Sequence, residues 1–461
     1  MFHDLLRIPI VTPSVLVPVD VLAALLVIAV LVPSPQRHPS VATATDTGTE
    51  GRTAAATENG RGPWRRIAVR IGAMLVAAAV GLVAVWWIGD VQDAFGVDFT
   101  PVTRMWVALT FAAVGLLVVG LVQGGNGRRG LAVAATVCVA FAAALGINVD
   151  FGAYRTIEQA VATNPYPSAT LGAETGIGSS AAAVVDPQTW YAPATMPTHG
   201  KIVSVRIPAT TSHFHARRAV VYLPPAARTI DPPVLPVLIS LSGQPGQPSD
   251  MFQAGRLGAV MDAFAAAHHG LAPIVVAPDQ LGAPNRNPMC VDSRRLGRSS
   301  TYVMTDTTRW IRSHLSVGAA PADWGIVGFS QGATCAMQFS SEYPEVFGTT
   351  FAISSELAPF TGSVQNSADV AFHGSLAAYR AAAPIAIMHR NAPYTDHFTE
   401  FAYGSDDAPY ARSTKLLRAG AIAAGMRTTT IVSPGTAHDW NTVRYSLQHG
   451  MPAVIAHMGL R

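Results

Sequence analysis

The chain has 461 residues, of which 49% are hydrophobic and only 13% are charged, and its mean hydropathy is +0.30. This composition is too apolar for a single ordinary soluble enzyme. The formal net charge of +3 is small for the length, and no basic face with interleaved aromatic residues is visible, so we expect no nucleic-acid partner.

Residues 1–150 contain four long apolar runs, which we predict to be membrane-spanning helices. The runs cover about 15–32, 71–88, 106–122 and 131–147. Each is close to the roughly 17 to 20 residues that a helix needs to cross a bilayer. All four are apolar on every face, whereas a buried helix of a soluble protein normally keeps a polar stripe.

The charged residues between the runs predict their orientation. The connection after the first run contains six arginines: Arg37, Arg52, Arg61, Arg65, Arg66 and Arg70. Arg128 and Arg129 follow the third run, whereas the loop between the second and third runs carries aspartates. Because basic loops stay in the cytoplasm, the chain is expected to leave the fourth span on the extracytoplasmic side.

Three smaller features of this region carry predictions. Asp20 follows Pro18 and is predicted to cap the start of the first helix, in preference to a proton-relay role. Residues 34–63 are rich in small polar residues and are predicted to be disordered. Residues 151–195, with several prolines and glycines, are predicted to be an extracytoplasmic tether.

Residues 196–461 alternate short β-like runs with helical ones. The predicted strands cover 202–207, 219–223, 237–241, 273–277, 324–329, 349–353, 398–403 and 428–432. Strands that alternate with helices predict a mostly parallel sheet covered on both faces. About 265 residues are enough to bury the core of one such domain.

A serine is predicted on a sharp turn between a strand and a helix. The pentapeptide Gly328-Phe329-Ser330-Gln331-Gly332 follows an apolar run and precedes a helix-compatible run. Glycines two residues before and after the serine are what a nucleophile elbow needs, because side chains there would press on the strand or the helix. Ser330 is therefore the candidate nucleophile.

A histidine and an aspartate follow later strands in the order Ser, Asp, His, which is typical of the α/β-hydrolase fold. His438 lies in a glycine-containing loop near the C-terminus and is the candidate base. Asp406 and Asp407 both follow the seventh predicted strand. Asp407 is preferred as the acid, and Asp406 is the alternative.

Two backbone N–H groups are needed to stabilise an oxyanion beside the serine. Gln331 follows the nucleophile, and Gln244 lies in the loop after the third strand, with Gly243 as the alternative. Neither HExxH nor a Cys/His spacing indicates a metal, and no cofactor is expected.

Cys290 and Cys335 lie on the loop after the fourth strand and on the helix after the elbow. These two elements converge in this fold, so a disulfide is predicted in an oxidising compartment, against the alternative of two buried thiols.

From about residue 196 the chain resembles the esterase family that includes esterase D and the secreted mycolyltransferases of mycolic-acid-containing bacteria. The resemblance rests on four segments: the elbow, Gly332-Ala-Thr-Cys-Ala336, Met289-Cys-Val-Asp-Ser293 and Gly435-Thr-Ala-His-Asp-Trp440. It implies that Ser330, Asp407 and His438 are catalytic. This chain departs from the secreted mycolyltransferases in two respects. Those proteins commonly use Glu as the acid, and they have no membrane block.

These observations together predict a membrane-anchored, extracytoplasmic serine esterase that acts on lipid or glycolipid esters of the cell envelope. One alternative is an acyltransferase that passes the acyl group to a sugar hydroxyl, and another is a scaffold that keeps the fold without catalysis. Hydrolysis is preferred because nothing in the sequence indicates a sugar-binding subsite.

Overall fold

A computed structural model describes residues 5–32, 62–92, 97–161, 164–172 and 184–461. The chain forms two compact units. The first consists of Met1–Asp150 with Tyr154–Ile157, and the second of Phe151–Ala153 with Glu158–Arg461.

The first unit contains four long helices. They are α1 (Pro13–Leu31), α2 (Gly62–Val85, continued by the π-helical segment Trp86–Val91), α3 (Pro101–Gln123) and α4 (Asn126–Phe151). All four are long and apolar enough to cross a membrane. The helices are longer than the predicted runs because helical hydrogen bonding continues into polar residues at their ends. The segment predicted as disordered, 34–63, lies outside the described residues up to residue 61.

Small residues allow the helices of this unit to approach closely. A Cβ atom added to Gly115 of α3 would lie 2.5 Å from the carbonyl oxygen of Ala73 in α2. Ala113 and Ala142 are buried between helices. Close contact through small residues is how helices associate in lipid, where no hydrophobic effect drives them together.

The prediction that Asp20 caps a helix is wrong. Helix α1 begins at Pro13 after Thr12, so Asp20 lies in the helix interior, seven residues past its first residue. Both Pro13 and Pro18 are compatible with the start of a helix. Pro13 occupies the first helical position, where the N–H that proline lacks would have no partner within the helix. Pro18 is accommodated inside the helix.

The second unit is built on an eight-stranded sheet. Its strands are β1 (Lys201–Val205), β2 (Ala219–Leu223), β3 (Val237–Leu241), β4 (Ile274–Ala277), β5 (Trp324–Phe329), β6 (Thr349–Ile353), β7 (Phe398–Gly404) and β8 (Arg427–Ser433). Their spatial order is β1-β2-β4-β3-β5-β6-β7-β8. β2 runs antiparallel to both of its neighbours, and the other pairs are parallel. The predicted α/β-hydrolase fold is confirmed.

Helices connect and cover these strands. They are α5 (Leu257–Ala267), α6 (Thr308–His314, after the π-helical segment Tyr302–Thr307), α7 (Gln331–Glu342), α8 (Val364–Ala371), α9 (Leu376–Ala381), α10 (Pro384–Asn391), α11 (Ala408–Ala423) and α12 (Trp440–His457). Short helical turns at Ile157–Ala160, Asp250–Gln253 and Ser299–Thr301, and a hairpin of Asp292–Ser293 with Gly297–Arg298, lie in the connections. All six residues of β5 are buried, as expected for a central strand covered on both faces.

The segment predicted as a tether, 151–195, is not free in its described parts. The N–H of Ala169 donates to the carbonyl of Ser204 at 2.9 Å, and the N–H of Ser204 donates to Pro167 at 2.8 Å. The Trp190 indole N–H donates to the carbonyl of His269 at 3.0 Å. Tyr166 and Trp190 pack against the core of the second unit. These aromatic side chains stabilise the segment on the domain surface because exposing them would cost free energy.

Candidate active site

Ser330 lies on the sharp turn between β5 and α7. Its backbone has φ +55° and ψ −121°, a conformation that costs energy for a residue with a side chain. The Ser330 N–H donates to the carbonyl of Ile353 at 2.9 Å, which stabilises the turn. A Cβ atom at Gly328 would collide with the carbonyl of Gly332, and one at Gly332 would collide with the carbonyl of Leu241. Both glycines of the motif are therefore required by packing.

Side chains from the ends of three strands meet at this turn. The Ser330 hydroxyl lies 2.9 Å from His438 Nε2, and His438 Nδ1 lies 3.1 Å from Asp407 Oδ2. Asp407 follows β7 and His438 follows β8. This is the geometry in which an imidazole accepts the serine proton while a carboxylate holds the ring and stabilises its positive form.

The structure separates the two candidate acids. The Asp407 side chain is 1% exposed and also accepts a hydrogen bond from Ser354 Oγ at 3.3 Å. Asp406 is exposed, and its carboxylate accepts from Ser405 Oγ at 2.8 Å. Adjacent residues point in different directions here, so Asp407 is placed against His438 and Asp406 is not.

Two aromatic rings fix the orientation of the imidazole. The His438 ring stacks on Tyr410 with ring centroids 4.0 Å apart, and on Phe329 with centroids 4.9 Å apart. Only 8% of the His438 side chain is exposed. The ring is held with Nε2 toward the nucleophile before any substrate arrives.

The loop after β3 runs beside the nucleophile. A Cβ atom at Gly243 would lie 3.5 Å from Ser330 Cβ. Within the described ranges, the backbone N–H groups of Gln244 and Gln331 donate to no protein acceptor. The buried Gln280 side chain holds the loop in place by donating to the carbonyl of Ser242 at 2.7 Å. Two N–H groups near the serine are thus available to a ligand.

A disulfide joins Cys290 to Cys335, with their Cα atoms 5.5 Å apart. It connects the loop after β4 to the first turns of α7 and is buried. The Gln331 side-chain amide donates to Cys335 Sγ at 3.2 Å. The crosslink therefore stabilises the residue that follows the nucleophile.

Two acidic residues near the site were not predicted from the sequence. Asp250 follows the β3 loop and accepts from the N–H of Gln247 at 2.8 Å, and burial raises its pKa to about 6. Glu356 follows β6, contacts Thr334 in α7 at 3.2 Å and has its pKa raised by burial to about 7. Neither lies in a motif: Asp250 contacts Gln247 in its own loop, and Glu356 contacts α7 because β6, which precedes it, lies beside β5. No group of three His, Cys, Asp or Glu side chains in the described part of the chain is placed to hold a metal ion.

Comparisons with known proteins identify the family. The family model described as "Putative esterase" matches residues 212–444, about half of the chain. The "Uncharacterized protein Cgl0967/cg1104" of Corynebacterium glutamicum is 32% identical over 271 residues, which are 57% of this chain and 63% of that protein. The chain thus matches less than two thirds of the length of this relative.

Solved structures with similar architecture are more distant in sequence. A ferulic acid esterase is 18% identical, with a TM-score of 0.48 over 56% of this chain and 98% of the other. An S-formylglutathione hydrolase from Agrobacterium tumefaciens is 17% identical, with a TM-score of 0.47 over 57% of this chain and 98% of the other. The resemblance inferred from the four sequence segments is confirmed by the family match: the chain belongs to the esterase family of hydrolases and carries its α/β-hydrolase domain after four apolar helices.

Proposed function

We propose that this protein is a membrane-anchored serine esterase that hydrolyses acyl esters of the cell envelope on the extracytoplasmic side. The observation that carries the proposal is the continuous set of hydrogen-bonding distances from Ser330 through His438 to Asp407. A scaffold has no need of a strained serine, a stacked imidazole and a buried carboxylate in this arrangement.

The geometry supports a two-step acyl transfer. Ser330 Oγ attacks the ester carbonyl while His438 Nε2 takes the hydroxyl proton, and the oxyanion accepts hydrogen bonds from the N–H groups of Gln331 and Gln244. The carbon–oxygen bond to the alcohol then breaks, and the alcohol leaves with the proton from Nε2. Water attacks the acyl-enzyme with His438 as base, and the carboxylic acid is released as Ser330 recovers its proton.

The substrate class follows from the expected location. Arginines flank the cytoplasmic sides of the predicted spans, and the disulfide suits an oxidising compartment. A catalytic domain attached to a membrane meets lipid and glycolipid esters at high effective concentration. Acyl esters of the envelope are therefore the proposed substrates.

The test of the chemistry is labelling of membranes with a fluorophosphonate, followed by mapping of the modified peptide. We expect a covalent adduct on Ser330 that is absent from Ser330→Ala and retained in the control Ser313→Ala. A wild-type adduct on another serine, or none at all, would remove the assignment of the nucleophile.

The test of sidedness uses engineered cysteines in a Cys138→Ala background. Asp98 and Arg65 are both exposed: Arg65 lies near the start of α2, and Asp98 lies in the connection that precedes α3. A maleimide that cannot cross membranes should label Asp98→Cys but not Arg65→Cys in intact cells. The opposite pattern would place the catalytic domain in the cytoplasm.

A further inference from the structure

Asp20 lines a cavity in the helical unit. It lies in the interior of α1, where a capping role is excluded. Ala23, Ala24 and Val27 follow it at the spacing that places residues on one face of a helix. All four residues line the same cavity, so the carboxylate belongs to the face of α1 that is turned toward the cavity.

The cavity lies between all four helices of the unit and has a volume of about 400 Å³. Sites for small molecules typically enclose about 300 to 1,000 Å³. The residues from α2, α3 and α4 that line it are nearly all apolar: Met74, Trp106, Leu109, Ala112, Ala113, Val139 and Ala142. Alanines form much of the wall, so the helices leave a space of ligand size that larger side chains would have filled.

The Asp20 carboxylate has no partner of opposite charge. It is the only charged residue among the described residues that line the cavity. In the described part of the chain it forms no hydrogen bond and no ion pair. Helix α1 is long and apolar enough to cross a membrane, and a charged side chain in such a helix is costly unless it is paired. A ligand with a positive charge would supply the missing partner.

Trp106 of α3 adds an aromatic ring to the cavity wall. Its indole packs closely on α4, because a Cβ atom at Gly146 would overlap the ring nitrogen. At 1.5 Å per residue, Asp20 lies about 10 Å from the start of α1 and Trp106 about 8 Å from the start of α3. Both helices start on the extracytoplasmic side in the proposed orientation, so the two residues lie at similar depth. A carboxylate and a tryptophan ring are the groups that attract organic cations.

We propose that this cavity binds an organic cation with an apolar body, such as a quaternary ammonium or phosphonium ion. The positive charge lies near the Asp20 carboxylate and the Trp106 ring, and the apolar groups contact the alanines and Leu109. The helical unit is then a ligand-binding unit as well as a membrane anchor. The inference goes beyond the proposed esterase function and does not depend on it.

An organic cation fits the cavity better than a metal ion or a relayed proton. A hard metal cation takes several oxygen ligands, whereas this cavity offers one carboxylate and apolar walls. No group of three His, Cys, Asp or Glu side chains in the described ranges could hold a metal ion. A proton relay needs a second ionisable group within reach, and none of the described lining residues supplies one.

The test measures equilibrium binding of tetraphenylphosphonium to the full-length protein in an uncharged detergent. Tetraphenylborate has the same shape, nearly the same size and the opposite charge, so the difference in affinity reports the charge of the site. Binding to protein-free micelles is subtracted for both ions. We expect saturable binding of one tetraphenylphosphonium ion per chain, with a Kd at least about ten-fold lower than that of tetraphenylborate. This comparison uses the wild-type protein and does not depend on a variant folding.

Substitutions of Asp20 test the carboxylate. Asp20→Asn keeps the size of the side chain but removes its charge, and should raise the Kd of tetraphenylphosphonium at least about ten-fold. Asp20→Glu keeps the charge and should change the Kd less than about five-fold. The matched control is Asp98→Asn, which removes an exposed aspartate from the connection before α3 and should bind as the wild type does.

Substitutions of the wall test the cavity itself. Ala24→Phe fills part of the space and should abolish binding, whereas Leu25→Phe changes a neighbouring residue that is 58% exposed and does not line the cavity. Trp106→Leu should raise the Kd about three-fold or more, because the ring no longer attracts the cation. Gel filtration and circular dichroism in detergent establish that each variant is folded.

The outcomes distinguish this site from the esterase function. Equal affinity of the wild type for the two ions, or unchanged binding of tetraphenylphosphonium to Asp20→Asn, would overturn the proposal. Wild-type affinity in a folded Ala24→Phe variant would place the bound ion outside the cavity and contradict it as well. Ser330→Ala should bind tetraphenylphosphonium as the wild type does, so the result stands whether or not Ser330 is the nucleophile of an esterase.

Discussion

The two units of the chain place their large apolar side chains in opposite positions. In the hydrolase unit the largest side chains, including Trp324 and Phe351, are completely buried. In the helical unit Leu75 is 65% and Val122 76% exposed, and many of the buried residues are alanines, such as Ala113. A surface of this kind is typical of helices that contact lipid, whereas the second unit buries its core away from water. Large apolar side chains thus cover much of the outside of the first unit and fill the inside of the second.

The largest expected effect lies in the chemistry of the hydrolase unit. Asp407→Asn should lower kcat for p-nitrophenyl octanoate about 10³- to 10⁴-fold, because an amide at this position favours the wrong tautomer of His438. Asp406→Asn should change kcat less than about three-fold, since its side chain is exposed and bonded to Ser405. Steady-state kinetics of the two variants measure the loss of kcat in each. A greater loss in Asp406→Asn would transfer the role to that residue.

Replacing cysteines in each unit allows the effects on stability to be compared. Replacing Cys290 and Cys335 together by alanine should lower the free energy of unfolding of the hydrolase unit by up to about 4 kcal/mol, because the disulfide closes a loop of 45 residues. Cys138→Ala in α4 should change stability by less than about 1 kcal/mol, since that thiol is unpaired and only partly buried. Denaturant titration in detergent measures both. Equal effects would show that the disulfide contributes no stability.

Two glycines in the helical unit distinguish the effect of close packing on stability from the effect of helix propensity. Gly115→Ala should destabilise the helical unit by about 1 to 3 kcal/mol, because the new Cβ meets the backbone of Ala73. Gly72→Ala adds a methyl group that meets nothing within 4 Å, and should stabilise the helix by about 0.5 to 1 kcal/mol. Thermal unfolding followed by circular dichroism reports the sign of each change. Destabilisation by both would indicate that α2 packs differently from the arrangement described.

The smallest expected effect concerns the ionisation of Glu356. Burial raises its pKa from 4.5 to about 7, so folding favours the neutral carboxyl group. The stability that this group contributes is complete below about pH 4.5 and is lost as the pH rises through about 7. Wild type should therefore lose on the order of 1 to 2 kcal/mol relative to Glu356→Gln between pH 5 and pH 8. Denaturation midpoints at several pH values measure the difference, and the exposed Glu345→Gln should show none.

Much of the fold was predictable because it depends on short stretches of sequence. The helical spans, all eight strands to within a few residues and the elbow follow from apolar runs, their alternation with helical segments and the glycines around Ser330. The start of α1 was predicted wrongly because Pro13 and Pro18 are both compatible with a helix N-terminus, and only the observed backbone distinguishes them. The packing of the segment predicted as a tether could not be predicted, because Tyr166 and Trp190 contact apolar residues that are far away in sequence.

By itself, the sequence determined the four long apolar helices, the order of Ser330, Asp407 and His438 along the chain, and the pair of cysteines near the elbow. These features arise from local sterics, hydrophobic periodicity and chain order. Only the tertiary structure decided that Asp407 rather than Asp406 lies against His438, and that Glu356 lies beside the nucleophile helix. The physical reason is that side-chain proximity across a parallel sheet depends on strand order and crossovers, and no local pattern records which residues at neighbouring strand ends finally meet.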